Sequence, residues 1–339
     1  MFQRIKVLGA VAPFLPGVLG WRRMLAWCAV VLLLLQAVGA VAVFTGPQEW
    51  KVYIRNILFS DFYGDARLRN EAALDAAVAR GFDRDARPQD YLPYLEPAAA
   101  RSLKAFQAAA KPTDRELAHS IIQYLGDSRE SKICGIDSLG KVVFDTTRGQ
   151  GCCSDFSKAW MFYALYLGLQ VREVNSLNHT TVEYFDRQAR RWVWVDPFNR
   201  VEIVDDAGQP FSQYQLRVQT LFDRANFRRL PGSHEDFEPP AYNGYAPAQL
   251  AVLSWRKGVN FLQVEAWDAR LRTWGLPKSM RQLVLLSLDI QPKWLVLTTD
   301  ALALYLNALK VLAWGLLALL ATLNATLAVL AVRRRQERG

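Results

Sequence analysis

The chain has 339 residues, 51% of them hydrophobic, which is enough for one sizeable core with apolar residues left over for membrane segments. Its formal net charge of +9 is gathered at the two ends: residues 1–46 hold Arg4, Lys6, Arg22 and Arg23 and no acid, and residues 333–339 hold Arg333, Arg334, Arg335 and Arg338 against Glu337. The stretch between is close to neutral, so it lacks the basic face that a nucleic-acid-binding domain would present.

In chain order, residues 1–23 are expected to be a cytoplasmic segment and residues 24–44, which carry no charge, a transmembrane helix. A cleaved signal peptide is the alternative, with Ala40-Val-Ala42 as the small-residue site; the long stretch before the apolar run, with Pro13 and Pro16, favours an uncleaved anchor. Residues 47–111 read as a helical preamble of short surface helices, such as 68–80 and 97–110. Thr113-Asp-Arg-Glu116 is a capping box and predicts a helix running to about Leu125. Residues 132–138 and 141–146 are expected to pair as a hairpin around Leu139-Gly140.

The segment drawn as the core, residues 112–230, carries the chemistry. Arg148-Gly-Gln-Gly-Cys-Cys-Ser-Asp-Phe156 opens an apolar helix that Gly168 should stop. A thiol at the start of a buried helix sits among unpaired N–H groups and feels the positive end of the helix dipole, which lowers its pKa. Asn178-His-Thr-Thr-Val-Glu-Tyr-Phe185 and Arg191-Trp-Val-Trp-Val-Asp-Pro197 read as neighbouring strands. With Asp186-Arg-Gln-Ala189 as a four-residue loop, His179 faces Asp196. A loop shorter or longer by two residues keeps both on one face but makes the pair diagonal, and a one-residue slip separates them. Nucleophile Cys153, base Cys153's partner His179 and orienting acid Asp196 are thus the candidate catalytic residues. His119, in a helix-like segment, and His234, in a proline-rich loop, lack comparable company along the sequence.

Residues 231–310 are expected to be a helical extension: a loop with four prolines over 231–247, a helix over 249–274 anchored by Trp255, Phe261 and Trp267, and a short helix over 280–288. Residues 311–332 form a second uncharged stretch long enough to span a bilayer, and 333–339 a basic cytoplasmic tail. Arginines flank the outer end of each span, so both termini are expected in the cytoplasm and 47–310 outside. Of the four cysteines, Cys28 falls in the first span, while a bridge between Cys134 and Cys152 would leave Cys153 free. No Cys-x-x-Cys pair exists, so no metal site is expected, and no cofactor motif is present.

Four stretches together resemble the transglutaminase-like superfamily: Gly151-Cys-Cys-Ser-Asp-Phe156, Tyr166-Leu-Gly-Leu-Gln-Val-Arg172, His179-Thr-Thr-Val-Glu-Tyr184 and Trp192-Val-Trp-Val-Asp-Pro197. Aligning on the acid two residues after the nucleophile selects Cys153 rather than Cys152. The resemblance covers residues 114–199. It implies an α+β, papain-like transglutaminase core, with Cys on a helix N-terminus packed on an antiparallel sheet carrying His and Asp, here flanked by two transmembrane helices. It also implies acyl transfer through a Cys thioester, acting on a peptide, protein or amide-bearing envelope substrate as a protease, amidase or transferase. Cys152 departs from the family pattern, which usually has no cysteine there. Two rivals stand beside this reading. One is a non-catalytic scaffold of the same fold in a cell-envelope or exopolysaccharide assembly, working through partners of that complex. The other is acetyl transfer of the arylamine acetyltransferase kind, which fits poorly with two membrane anchors and a cytosolic acyl donor.

Overall fold

In the computed structural model, the described residues are 27, 29–34, 36–39, 45–78, 86–128, 138–176, 179–218, 226–233 and 252–336. They fall into two compact units, residues 56–310 and, separately, residues 1–55 with 311–339.

The larger unit is built on one eight-stranded sheet. In chain order its elements are helix α1 (Gln48–Phe59, entering the unit at its last residues), strand β1 (Asp61–Gly64), α2 (Glu71–Val78), a 3₁₀ turn (Pro88–Tyr94), α3 (Pro97–Ala110), α4 (Asp114–Ile122), α5 (Leu139–Thr146) and α6 (Cys153–Tyr166). Strands β2 (Val171–Asn175), β3 (Thr180–Asp186), β4 (Arg191–Asp196) and β5 (Val201–Val204), helix α7 (Gln213–Val218) and β6 (Asn226–Arg229) follow. Then come β7 (Leu253–Arg256), α8 (Phe261–Thr273), α9 (Lys278–Ser287), β8 (Trp294–Thr298) and the long α10 (Asp300–Gln336). The strand order is β1-β8-β7-β2-β3-β4-β5-β6, with β1 and β8 parallel and every other neighbour antiparallel. The α+β class expected from the sequence is what the chain forms.

The main core lies between one face of the sheet and α6. Val182, Tyr184, Val193 and Val195 meet Phe156, Trp160, Phe162 and Tyr163, with α3, α4 and α5 closing the layer. On the other face, Leu74, Val78 and Tyr214 cover Trp255, Leu253 and Leu295. Helix α6 is apolar nearly all round because it is buried nearly all round. It ends as its sequence predicts. Gly168 takes φ +81, its N–H bonds to the Leu165 carbonyl, and the Leu169 N–H reaches back to Ala164, which caps the last carbonyls. The Thr113 capping box is formed too: the Glu116 N–H donates to the Thr113 hydroxyl and the Thr113 N–H to the Glu116 carboxylate.

Three expectations about elements are corrected. Residues 139–146 form helix α5, not a hairpin arm; the partner arm, 132–137, lies outside the described residues. Val142, Val143 and Thr146 are buried together on one helical face, and that packing overrides the strand preference of a β-branched run. Within 249–274, residues 253–256 are strand β7: Leu253 and Trp255 point into the core while Ser254 and Arg256 are only partly covered, a period of two hidden in four residues. Gly258, at φ +134, then turns the chain into α8, where Phe261 is buried and Trp267 half-buried. Strand β8 occupies Trp294–Thr298, inside the 231–310 stretch expected to be a helical extension. The residues expected to be a helical extension thus supply two strands, and the preamble supplies β1, all to the same sheet as β2–β6.

Among the described residues one helix is long and apolar enough to cross a membrane, Asp300–Leu330 within α10, rather than the two expected. The segment 24–44 is described in part, as a shorter apolar helix, Ala29–Gly39; the Ala40-Val-Ala42 site and Cys28 lie outside the described residues. In this smaller unit the side-chain amides of Gln36 and Asn324 bond reciprocally, Asn324 Nδ2 donating to Gln36 Oε1 at 2.8 Å and Gln36 Nε2 to Asn324 Oδ1 at 3.4 Å.

Candidate active site

Cys153 is the first residue of α6. The loop before it is shaped by two glycines in the left-handed region. A Cβ on Gly149 would lie 2.2 Å from the Asp127 carbonyl oxygen, and one on Gly151 would press on Asp155 at 2.9 Å. Asp155, fully buried at the third helical position, accepts from the Cys152 N–H at 3.1 Å and so fixes the helix start. Cys152 is disulfide-bonded and Cys153 is free; the partner sulfur of Cys152 lies outside the described residues. As a half-cystine Cys152 has no S–H to give, so its 3.3 Å approach to Asp155 Oδ2 is not a hydrogen bond, whereas the Ser154 hydroxyl can donate to its sulfur.

His179 sits immediately before β3. The strands pair Val182 with Val195 and Phe185 with Trp192, so the hairpin loop is Arg187–Arg190 rather than 186–189. Asp186 is the reason. It stays in the strand while its carboxylate accepts from the N–H groups of Gln188 and Ala189, each at 2.9 Å, and Arg190 takes φ +52 to re-enter β4. The register therefore differs by two from the one that sets His179 opposite Asp196. As a shift of two requires, the pair is diagonal and on one face. The side chains still meet: His179 Nε2 lies 2.7 Å from Asp196 Oδ2, with His179 4% and Asp196 0% exposed.

With Nε2 turned to the carboxylate, Nδ1 is left for sulfur, and the Cys153 thiol hydrogen-bonds His179. Burial pushes the thiol pKa up and Asp196 opposes its ionisation. The hydrogen bond and charge of His179 and a bond from the Thr180 N–H outweigh both, and the thiol ends below its ordinary value. Burial alone would lower His179, but the Asp196 carboxylate and the thiol raise it to about 10. Both shifts favour the thiolate–imidazolium form. Ser157, one turn along α6 from Cys153, donates to the Thr180 carbonyl at 3.0 Å and ties helix to strand beside the sulfur. Phe198 stands edge-on to the His179 ring at 6.4 Å and Phe156 edge-on to Phe198 at 5.3 Å, which gives the imidazole an apolar wall.

The structure thus brings together all three residues singled out by sequence, Cys153, His179 and Asp196. It also supplies groups that sequence reading missed. Asn199 donates from Nδ2 to Asp196 Oδ2 at 2.7 Å; its only sequence signal is its place three residues after an Asp-Pro. His119 is not without company: its Nε2 lies 3.0 Å from Oε2 of the buried Glu202, a residue too far along the chain to be paired with it by pattern. Among the described residues no group of three or more metal-ligand side chains occurs.

No protein-family model and no curated protein matches the chain. Among solved structures, the periplasmic domain of TgpA from Pseudomonas aeruginosa is similar to part of it, at 18% sequence identity and a TM-score of 0.23, over 33% of this chain and 48% of that one. The likeness spans about half the length of that domain.

Proposed function

We propose that this chain is a transglutaminase-like thiol enzyme, anchored in the cytoplasmic membrane, that cleaves or transfers an amide- or ester-linked acyl group on a peptide, protein or other envelope substrate outside the cytoplasm. The observation that carries the reading is the connected series Cys153–His179–Asp196, in which a depressed thiol and a raised imidazole face each other in a buried setting.

In this mechanism the Cys153 thiolate attacks the acyl carbonyl carbon. The oxyanion that forms is met by N–H groups at the start of α6. His179 gives its Nδ1 proton to the leaving amine or alcohol as the C–N or C–O bond breaks, leaving a thioester on Cys153. Water or an acceptor amine then attacks the thioester and passes a proton to His179, and the thiolate departs. Asp196 holds the imidazole through Nε2 and stabilises its cationic form throughout.

The apolar helix Asp300–Leu330 supports a membrane anchor. With residues 24–44 as a second span, the flanking arginines set both termini in the cytoplasm and residues 47–310 outside. The reciprocal Gln36–Asn324 amide pair supports two apolar segments lying side by side, since an unpaired amide in hydrocarbon is costly. The decisive experiment is labelling of the purified full-length protein with a thiol-reactive activity probe and mapping of the modified peptide. Fast labelling at Cys153 that disappears in His179→Ala supports the enzyme. Labelling no faster than that of a free thiol, in both proteins, returns the chain to the scaffold reading. A reporter active only outside the cytoplasm, fused after residue 47 and separately after residue 339, should give signal only at the first site; signal at both overturns the two-span topology.

A further inference from the structure

We infer that Asn199 is a positioning residue of this site, whose side-chain amide sets the plane of the Asp196 carboxylate and so the orientation of His179. This rests on the enzyme reading above. Asp196 Oδ1 accepts from the N–H groups of Phe198 at 2.9 Å and Asn199 at 3.2 Å; Oδ2 accepts from His179 Nε2 and Asn199 Nδ2, both at 2.7 Å. Among the described residues, four donors thus meet one carboxylate, whose two oxygens offer about four lone-pair sites. Because a carboxylate can only accept, the amide nitrogen of Asn199, not its oxygen, must face it.

The four donors do different work. The two on Oδ1 are backbone groups of the turn that Asp196 itself starts, and they pin one end of the carboxylate. The end that meets His179 is left to a torsion that is broad and nearly two-fold in Asp. Asn199 Nδ2 joins the histidine on Oδ2 at the same 2.7 Å and comes from the same turn, so it stops the plane swinging Oδ2 away from the imidazole. Asn199 is itself 4% exposed, and its carbonyl accepts from Ser233 Oγ at 3.5 Å, so the turn is held from its far side too. The amide also carries no charge. It satisfies Oδ2 without neutralising the carboxylate, so the full negative charge still acts on His179. Among the described residues, the titratable groups coupled to Asp196 are His179, from the start of β3, and Cys153, from α6. Arg200, the next residue in the chain, turns its guanidinium away to the Leu125 and Gly126 carbonyls, the latter at 2.8 Å.

The test is the pH profile of iodoacetamide alkylation at Cys153 in the full chain, with thermal melting alongside, for wild type, His179→Ala, Asn199→Ala and Asn199→Asp. Removing the amide in Asn199→Ala should slow alkylation at neutral pH roughly tenfold, the low end of what an outer partner of a functional histidine contributes, and move the profile toward the ordinary thiol range. Asn199→Asp keeps the volume and the backbone bonds but sets a second carboxylate against Oδ2. The two acids must then share a proton, so its profile should move in the same direction and its rate fall at least as far. A folded Asn199→Ala protein with the wild-type profile overturns the inference. If Asn199→Ala does not fold, Asn199→Asp decides, and a wild-type profile there overturns it equally. A profile that His179→Ala leaves unchanged defeats the enzyme reading itself. One that responds to His179 but not to Asn199 defeats only the role of Asn199.

Discussion

Among the described residues two histidines meet a fully buried carboxylate, and the pairs differ in what else the carboxylate holds. Among the described residues Asp196 takes His179 at 2.7 Å together with neutral donors, the two backbone N–H groups and the Asn199 amide. Glu202 takes His119 at 3.0 Å, but its other oxygen meets the guanidinium groups of Arg115, at 2.9 Å, and Arg228. Burial pushes Glu202 up; His119 and Arg115 more than offset it and leave the acid below its usual range. Where permanent cations share the acid, its charge goes to holding α4 and the edge strand β6 to β5. Where neutral groups share it, the charge is left for the histidine, and a thiol lies on that histidine's other side. A histidine on a buried acid is therefore not a site in itself; the company of the acid decides.

The sharpest way to break this comparison is to remove each histidine in turn. His179→Ala should slow Cys153 alkylation or turnover by about 10²–10⁴-fold, the range of a lost general base, whereas His119→Ala should leave the rate within a small factor of wild type. Equal losses, measured on folded proteins, would erase the distinction. Stability should run the other way. Glu202→Gln strands two guanidinium groups around a buried site and should cost about 3–5 kcal/mol in urea unfolding. Asp196→Asn, with its amide forced against existing N–H donors, should cost about 1–3 kcal/mol while removing most activity. That is more than a partly solvated carboxylate would cost, because Asp196 is fully buried. Trp194→Ala should cost about 3–5 kcal/mol, since the indole is fully buried and its Nε1–H donates to Thr181 Oγ1 at 2.8 Å.

Acid sharpens the comparison further. The folded-state pKa of Glu202 is depressed, so its contribution is complete above the unfolded value and is lost as pH falls through the folded one. Glu202→Gln should therefore be less stable than wild type at neutral pH yet lose less on acidification, as read from melting temperatures across pH 3–7. Parallel curves would mean that Glu202 is not the acid-sensitive group. The smallest expected effect concerns the two adjacent sulfurs: without reductant, iodoacetamide should modify Cys153 and leave Cys152 unmodified. Label on Cys152 in the unreduced protein would show its bridge to be absent.

Much of the site was legible before the fold. The glycines before Cys153 and the shared parity of His179 and Asp196 follow from local chemistry, the acid two residues past Cys153 is what the family resemblance points to, and parity survives a register error of two. The error itself came from Asp186, which serves as both the last strand residue and the turn's acceptor; composition alone does not separate those roles. Asn199 was hidden because a side chain that completes a carboxylate's shell leaves no periodic trace. The Glu202 cluster was hidden because its members meet only when α4, β5 and β6 are brought together. The short strands were lost for a related reason: four residues such as 253–256 are too few for a period of two to stand out from an apolar run.

The parallel pairing of β1 with β8 sets a timetable. Asp61 lies opposite Leu295 and Gly64 opposite Thr298, so one of the first segments of the larger unit to be made finds its sheet partner among the last. While the chain is being synthesised, β2–β6 and α6 can assemble on one another, leaving only the β7 side of β2 open, but β1 must wait for β8. Its carboxylate at Asp61 is also reserved for late arrivals, Lys257 and Lys310. Release of the chain before residue 298 would leave β1 unpaired and that flank of the sheet open, while the strands that carry the site are already made. Closing that flank, rather than forming the site, should be the slow and final event in the biogenesis of this protein.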